Sequence, residues 1–207
     1  MNEAGRQRDD ILDRAGLMAD WLAQAFGAIG DGSAAEAARW LAAHGVPADL
    51  ITDLPILPAT VRWLDPGDGF AFASTGSRAL VFPISDCEAA EADFGDLLAF
   101  DPAAPDRFEV ARGGAWALGE DQVSAVQLRL HNTPLQLWRN PLRWLQAGRR
   151  GVVILDHARA PHWLRQIGPI RAQDEAHRQE VAAMFRRWRA IPDIGLPPAQ
   201  SPIAATP

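Results

Sequence analysis

The sequence predicts an α+β fold in a single domain over residues 1–190, with N-terminal helices, a small central antiparallel sheet and a C-terminal helical layer. Apolar residues recur at helical spacing before residue 54, and short β-branched and aromatic runs separated by turn residues fill 60–118. Cap-plus-proline pairs and a second helical stripe return after residue 133. With 207 residues and 48% hydrophobic content, the chain can bury a substantial core.

The first helix is expected over 3–28, where Ile11, Ala15, Met18, Leu22, Ala25 and Ile29 alternate in steps of three and four. A second begins at Ser33, with Glu36 at the reciprocal capping spacing, runs through Trp40 and Leu41, and is closed by Gly45 and stopped by Pro47. A short third helix, Ala48 to Asp53, precedes Pro55 and Pro58, which favour extended backbone. Strands are expected at 60–64, 69–74, 78–84, 96–100, 107–111 and 115–118. Asp65-Pro66-Gly67-Asp68-Gly69 reads as a tight connection, Gly113-Gly114 as a hairpin turn, and the acidic stretch from Ser85 to Asp96 as a solvated loop.

Thr133-Pro134 and Asn140-Pro141 each place a cap residue before a proline, predicting two short helices broken near Arg139, the second ended by Gly148. The unalternated run Val152 to Leu155 suggests a strand buried on both faces. Pro161 to Ile167 and Asp174 to Ala190 complete the helices, and the five prolines of 191–207 predict a disordered tail.

Charge divides the chain. Residues 1–128 carry 8 Arg against 21 Asp and Glu, net −13, whereas 129–189 carry 12 Arg against 4 acids, net +8. Such asymmetry implies a polyanion-facing surface, a partner-facing surface, or halves that neutralise each other. Every basic residue is Arg, and neither Lys nor Tyr occurs, which excludes Schiff-base chemistry, a P-loop lysine and a lysine general base. The single Cys87 excludes an internal disulfide and a multi-cysteine zinc site. No apolar run reaches membrane-spanning length and the N-terminus lacks a signal-peptide pattern, so a soluble, cytoplasmic protein without a membrane partner is expected.

Chemistry is sparse. Asp156, His157 and His162 leave the end of the buried strand, where open sheets place reactive groups, and a hydrolase-type enzyme would be built on them. The histidine spacing of five fits no helical ligand pair, and an Asp capping the next turn is the simpler reading. His44 and His131 are isolated, and His177 falls in a charged helix where solvation is expected. The carboxylates Asp9, Asp10 and Asp13, and those from Asp86 to Asp96, lack the order of a calcium loop, so no metal or other cofactor is expected. No serine occupies a G-x-S-x-G turn.

The Arg-rich third is the strongest candidate for binding. Arg139, Arg143, Arg149, Arg150, Arg165, Arg186, Arg187 and Arg189 are interleaved with Trp138, Trp144, Trp163 and Trp188, a mixture suited to phosphate neutralisation and base stacking. The same residues also satisfy structural demands: acids open the last helix and arginines close it, as the macrodipole favours, while Val181, Met184, Phe185 and Trp188 form a core stripe.

The segments ARWLAAHGVP (38–47), ALVFPISD (79–86) and GDLLAF (95–100) resemble the non-catalytic segment that precedes the catalytic module in primase-helicases of phages and mobile elements. PLRWLQAGRRGVVILD (141–156) is similar to proteins of alphaproteobacterial prophages. The zinc-binding cysteines, Toprim glutamate and D-x-D pair of that family are missing. The resemblance therefore implies a replication or mobile-element setting without the active centre. The sequence thus predicts a non-catalytic accessory protein that binds nucleic acid or an acidic partner through its Arg-rich surface; an acidic adaptor or decoy acting through the N-terminal half is the alternative.

Overall fold

The computed structural model describes residues 16, 21, 23, 33–53, 55–65, 67–84, 96–120, 134–167 and 169–189. The expected first helix, apart from three of its residues, the loop at 85–95 with Cys87, His131 and the tail lie outside the described residues.

The fold is α+β. Helix α1 (Ser33–Ala43) and helix α2 (Ala48–Asp53) begin the described chain, and Gly45, at φ +77°, makes the left-handed turn between them. Strands β1 (Leu57–Trp63), β2 (Phe70–Phe72), β3 (Ser77–Ile84), β4 (Asp96–Asp101) and β5 (Ala104–Val110) form an antiparallel sheet in the order β2-β1-β3-β4-β5. Pro58 and Pro83 are tolerated because each lies where its strand has a neighbour on one side only: β2 pairs beyond Pro58, and the β1 pairing ends before Pro83.

Both faces of this sheet are covered, which explains the unbroken apolar runs of β3 and β4. Val61, Phe70, Val81 and Leu97 pack with Trp21 on one face. Leu80, Phe82, Leu98 and Phe100 pack on the other with Leu41 of α1 and with Leu142 and Trp144 of helix α3 (Pro141–Gln146).

The C-terminal third holds expected helices around a second sheet that the sequence did not place. Besides β8 (Val152–Ile154) it contains β7 (Leu135–Trp138) and β9 (Ile170–Arg171), and with β6 (Ala117–Leu118) these make a second sheet in the order β6-β8-β7-β9. β7 runs parallel to both β8 and β9. Thr133-Pro134 therefore leads into a strand, not a helix: Leu135 and Leu137 alternate with half-buried Gln136 and Trp138, and pairing on both sides overrides the local cap signal.

Gly113-Gly114 is likewise no hairpin, because it links β5 of the first sheet to β6 of the second. Its backbone is fixed by Asp96, expected in a solvated loop but buried, whose carboxylate accepts from the amides of Leu97 (2.8 Å), Arg112 (3.1 Å) and Gly114 (3.2 Å). Burial raises the Asp96 pKa, and these amide bonds oppose the rise.

The order β7–α3–β8–α4–β9–α5, with α4 (Ala160–Ile167) and α5 (Glu175–Arg189), winds helices on both faces of three parallel strands. Leu135, Leu137, Val152 and Ile154 pack with Leu164 and Met184 of α4 and α5, while Val153 faces α3 and the first sheet. Among the described residues no helix is long and apolar enough to cross a membrane.

Candidate functional site

The parallel strands give this sheet two distinct ends. A helix connecting parallel strands runs back against them, so helix carboxyl ends gather beside strand amino ends. Helix α5 follows the same rule. His177 in its first turn lines one crevice with Trp138 and His157, which lie at the carboxyl sides of β7 and β8, whereas the Trp188 ring in its last turn lies 5.2 Å from the Arg165 guanidinium near the end of α4.

The amino end is an arginine end. Arg149 and Arg150 occupy the turn from α3 to β8, Arg165 the last turn of α4, and Arg186, Arg187 and Arg189 the last turn of α5. Arg150, Arg165, Arg186 and Arg187 are exposed, and Arg149 is half-buried. Arg143, exposed on α3, donates to the Gln146 side chain at 3.1 Å. Among the described residues none of Arg143, Arg149, Arg150, Arg165, Arg186 and Arg187 forms an ion pair with a carboxylate.

The Gly148–Gly151 turn is held firmly. The Asn140 side chain caps α3 by accepting from the Arg143 amide at 2.9 Å, and Pro141 opens the helix, as that dipeptide predicts. After it the chain takes left-handed conformations at Gly148, Arg149 and Gly151, with φ of 71°, 61° and 87°. Two indoles hold this turn: Trp138 Nε1 donates to the Arg150 carbonyl at 2.7 Å, and Trp144 Nε1 to the Gly151 carbonyl at 2.9 Å. Arg149 is the only non-glycine residue at positive φ among the described residues. Its guanidinium carbon lies 5.5 Å from the Trp144 ring, and its Nε is buried without a hydrogen-bond partner. The position opposes stability twice over, through backbone strain and through an unsatisfied donor.

Arg139 does not join this group. It lies at the carboxyl end, where it binds Asp174 at 3.3 Å and Glu180 at 3.1 Å. Hydrogen bonding to Asp174 leads the causes that raise the Arg139 pKa. The Asp174 pKa is lowered first by the His177 amide and then by Arg139. Asp174 is also the cap of α5, accepting from the His177 amide at 2.8 Å.

At the carboxyl end a crevice of about 310 Å³ opens beside the ends of β7 and β8. Its walls are Asp106 and Phe108 of β5, Trp138 at the end of β7 and Arg139 after it, His157 after β8, and His177 and Glu180 of α5. The three residues singled out for chemistry are not brought together. Asp156 caps the following turn, accepting from the amides of Ala158 (2.7 Å) and Arg159 (3.1 Å), and does not line the crevice. His157 does line it, and His162 is exposed on α4, edge-on to Trp163. Among the described residues no group of three or more His, Cys, Asp or Glu side chains is arranged to hold a metal ion.

His177 corrects the expectation of solvation. It is 6% exposed, its Nδ1 accepts from the Gln173 amide at 3.3 Å, and burial is the first cause of its lowered pKa. The sequence held a signal: His177 continues the Val181, Met184, Trp188 stripe back by one step of four.

No family model, curated protein or solved structure matches the chain.

Proposed function

We propose that this chain binds nucleic acid through the amino end of its parallel sheet, with Arg149, Arg150, Arg165, Arg186, Arg187 and Arg189 contacting phosphates and Arg143 and the Arg165–Trp188 pair extending the surface. The supporting observation is the contrast in pairing: the described side chains at this end meet no carboxylate, while Arg139 at the other end meets two. Unpaired guanidinium groups on a fixed turn suit phosphate neutralisation, because their charge is not already compensated. In this reading the chain is a non-catalytic accessory protein of the cytoplasm. Its resemblance to phage primase-helicase segments makes single-stranded DNA the first ligand to try, and an acidic protein partner the competing occupant.

Binding of fluorescent single- and double-stranded oligonucleotides, measured across a salt series, tests this. Affinity should fall steeply with salt, and Arg149→Ala/Arg150→Ala should weaken binding by about tenfold or more and reduce the log–log salt slope by about 2, roughly one per lost phosphate contact. Arg139→Ala should leave the slope unchanged. Salt-independent binding, or equal loss in the two variants, would overturn the assignment.

A further inference from the structure

We propose that the crevice at the carboxyl end of the parallel sheet takes an amino-substituted nucleobase of the adenine, cytosine or guanine type. This inference stands on the crevice alone and does not require the arginine end to bind phosphate.

The volume, about 310 Å³, lies at the lower end of the range in which small-molecule sites occur. Its position is beyond the carboxyl ends of β7 and β8, the end of a parallel sheet at which ligands are commonly placed. Phe108 and Trp138 supply aromatic lining, and Trp138 is held in place by its bond to the Arg150 carbonyl. A flat π-system is the matching ligand body.

His177 then selects the ligand's polar edge. It is buried to more than nine-tenths and lines the crevice, and its Nδ1 already accepts from the Gln173 amide. In the neutral ring the proton therefore resides on Nε2, which has no hydrogen-bond partner among the described residues. Nε2 is not among the fully buried unpartnered atoms, so it is open to the crevice, where it presents a donor to an acceptor on the ligand. The carboxylates Asp106 and Glu180 on the walls call for donors. Asp106 accepts from Asn140 at 2.6 Å through Oδ1, and Glu180 accepts from Arg139 through Oε1, which leaves the second oxygen of each carboxylate for a ligand N–H. A ring nitrogen or carbonyl beside an amino group offers both functions on one planar edge.

Charge narrows the choice further. The single cation Arg139 faces Asp174, Glu180 and Asp106, so the surroundings are net negative and oppose a phosphate group. The ligand is therefore a neutral base, supplied as a free nucleoside or as an unpaired base projecting from a strand.

Titration of the full chain with adenosine, cytidine, guanosine, uridine and AMP, read by NMR shifts of the Trp138 indole and His177 ring protons, tests the proposal. At least one amino-bearing nucleoside should shift both sets of resonances and bind at least tenfold more tightly than uridine, which lacks the exocyclic amine. AMP should bind no more tightly than adenosine. The exposed-residue variant Asp106→Asn/Glu180→Gln, checked for an unchanged melting profile, should weaken that nucleoside by tenfold or more. A short oligodeoxycytidine compared with an abasic strand of equal length separates the two sources, because only the base-bearing strand should shift the His177 ring protons, which lie away from the arginine turn that Trp138 contacts. Equal binding of uridine, tighter binding of AMP, an unaffected double variant, or resonances unmoved by every nucleoside and by the base-bearing strand would each overturn it.

Discussion

The two ends of the parallel sheet are built from the same short strands and helices, yet they treat charge in opposite ways. At the carboxyl end Arg139 is ion-paired to Asp174 and Glu180, His177 is buried and held neutral, and the carboxylates border a crevice. At the amino end Arg149, Arg150, Arg165, Arg186 and Arg187 have no carboxylate among the described residues. Chain direction alone accounts for part of this, since helix carboxyl ends favour cations and helix amino ends favour anions. It does not account for Arg149. A macrodipole asks for positive charge near the last turn, not for an arginine in a left-handed conformation with a buried, unpartnered Nε. Backbone strain and an unsatisfied donor at one residue are local costs of the kind that cluster at functional sites.

The largest effect should come from breaking the turn itself. Gly151 has φ 87°, and a Cβ there would lie 2.4 Å from the Gln136 carbonyl oxygen on the neighbouring strand. Gly151→Ala should therefore destabilise the fold by about 3 kcal/mol or more in urea unfolding, because clash and left-handed strain add and neither neighbour is a flexible side-chain tip. Nucleic-acid affinity should fall with it. An unchanged unfolding midpoint would show that the turn is pliable and that the arginines are not held in place by it.

A smaller effect separates strain from charge at Arg149. Arg149→Ala keeps the left-handed backbone and removes the stacking on Trp144, whereas Arg149→Gly removes the stacking but relieves the backbone. The glycine variant should be more stable than the alanine variant by about 1 kcal/mol, and both should lose the same fraction of DNA affinity. Equal stabilities would mean that the backbone at this position is not strained. Unequal affinities would mean that turn conformation, and not the guanidinium, decides binding.

How legible these features were in the sequence depends on how local their causes are. Helix α1 was readable because it begins at Ser33, where the Ser-x-x-Glu spacing placed it, although the Glu36 carboxylate accepts from Arg78; α3 was readable because Asn140 with Pro141 sets its start, and Gly45 and Gly148 mark the ends. The strands of the first sheet were readable from composition, since β3 and β4 are buried on both faces and carry unbroken apolar runs. β7 was misread because its identity comes from β8 and β9, beyond any local window. Asp96 was misread because its amide partners at 112 and 114 come from the end of a different strand. The candidate arginines were visible as a group, but only strand direction sorts Arg139 to one end and the others to the opposite one.

The gentlest test uses pH, because the two ends differ in what titrates. Guanidinium groups stay charged throughout, so binding at the amino end should be nearly flat between about pH 5.5 and 8. The carboxyl end should respond through His177, which is surrounded by Arg139, Asp174, Glu180 and His157. Its folded-state pKa is depressed below the ordinary 6.5, first by burial and next by Arg139. Below pH 6.5 the unfolded chain therefore takes up a proton that the folded chain resists, and stability falls as pH falls from 6.5 through the lower folded value, by at most about 1.4 kcal/mol per pH unit. Above 6.5 the contribution is constant. Asp96 acts with the opposite sign in the acid range, because its raised pKa makes stability fall as pH rises through that window. Comparing urea midpoints of the native chain and His177→Gln from about pH 5 to 8 cancels that background. The difference between the two should widen towards low pH in the variant's favour while DNA affinity stays level. A difference that does not change with pH would place His177 in contact with solvent and remove the chemical contrast between the two ends.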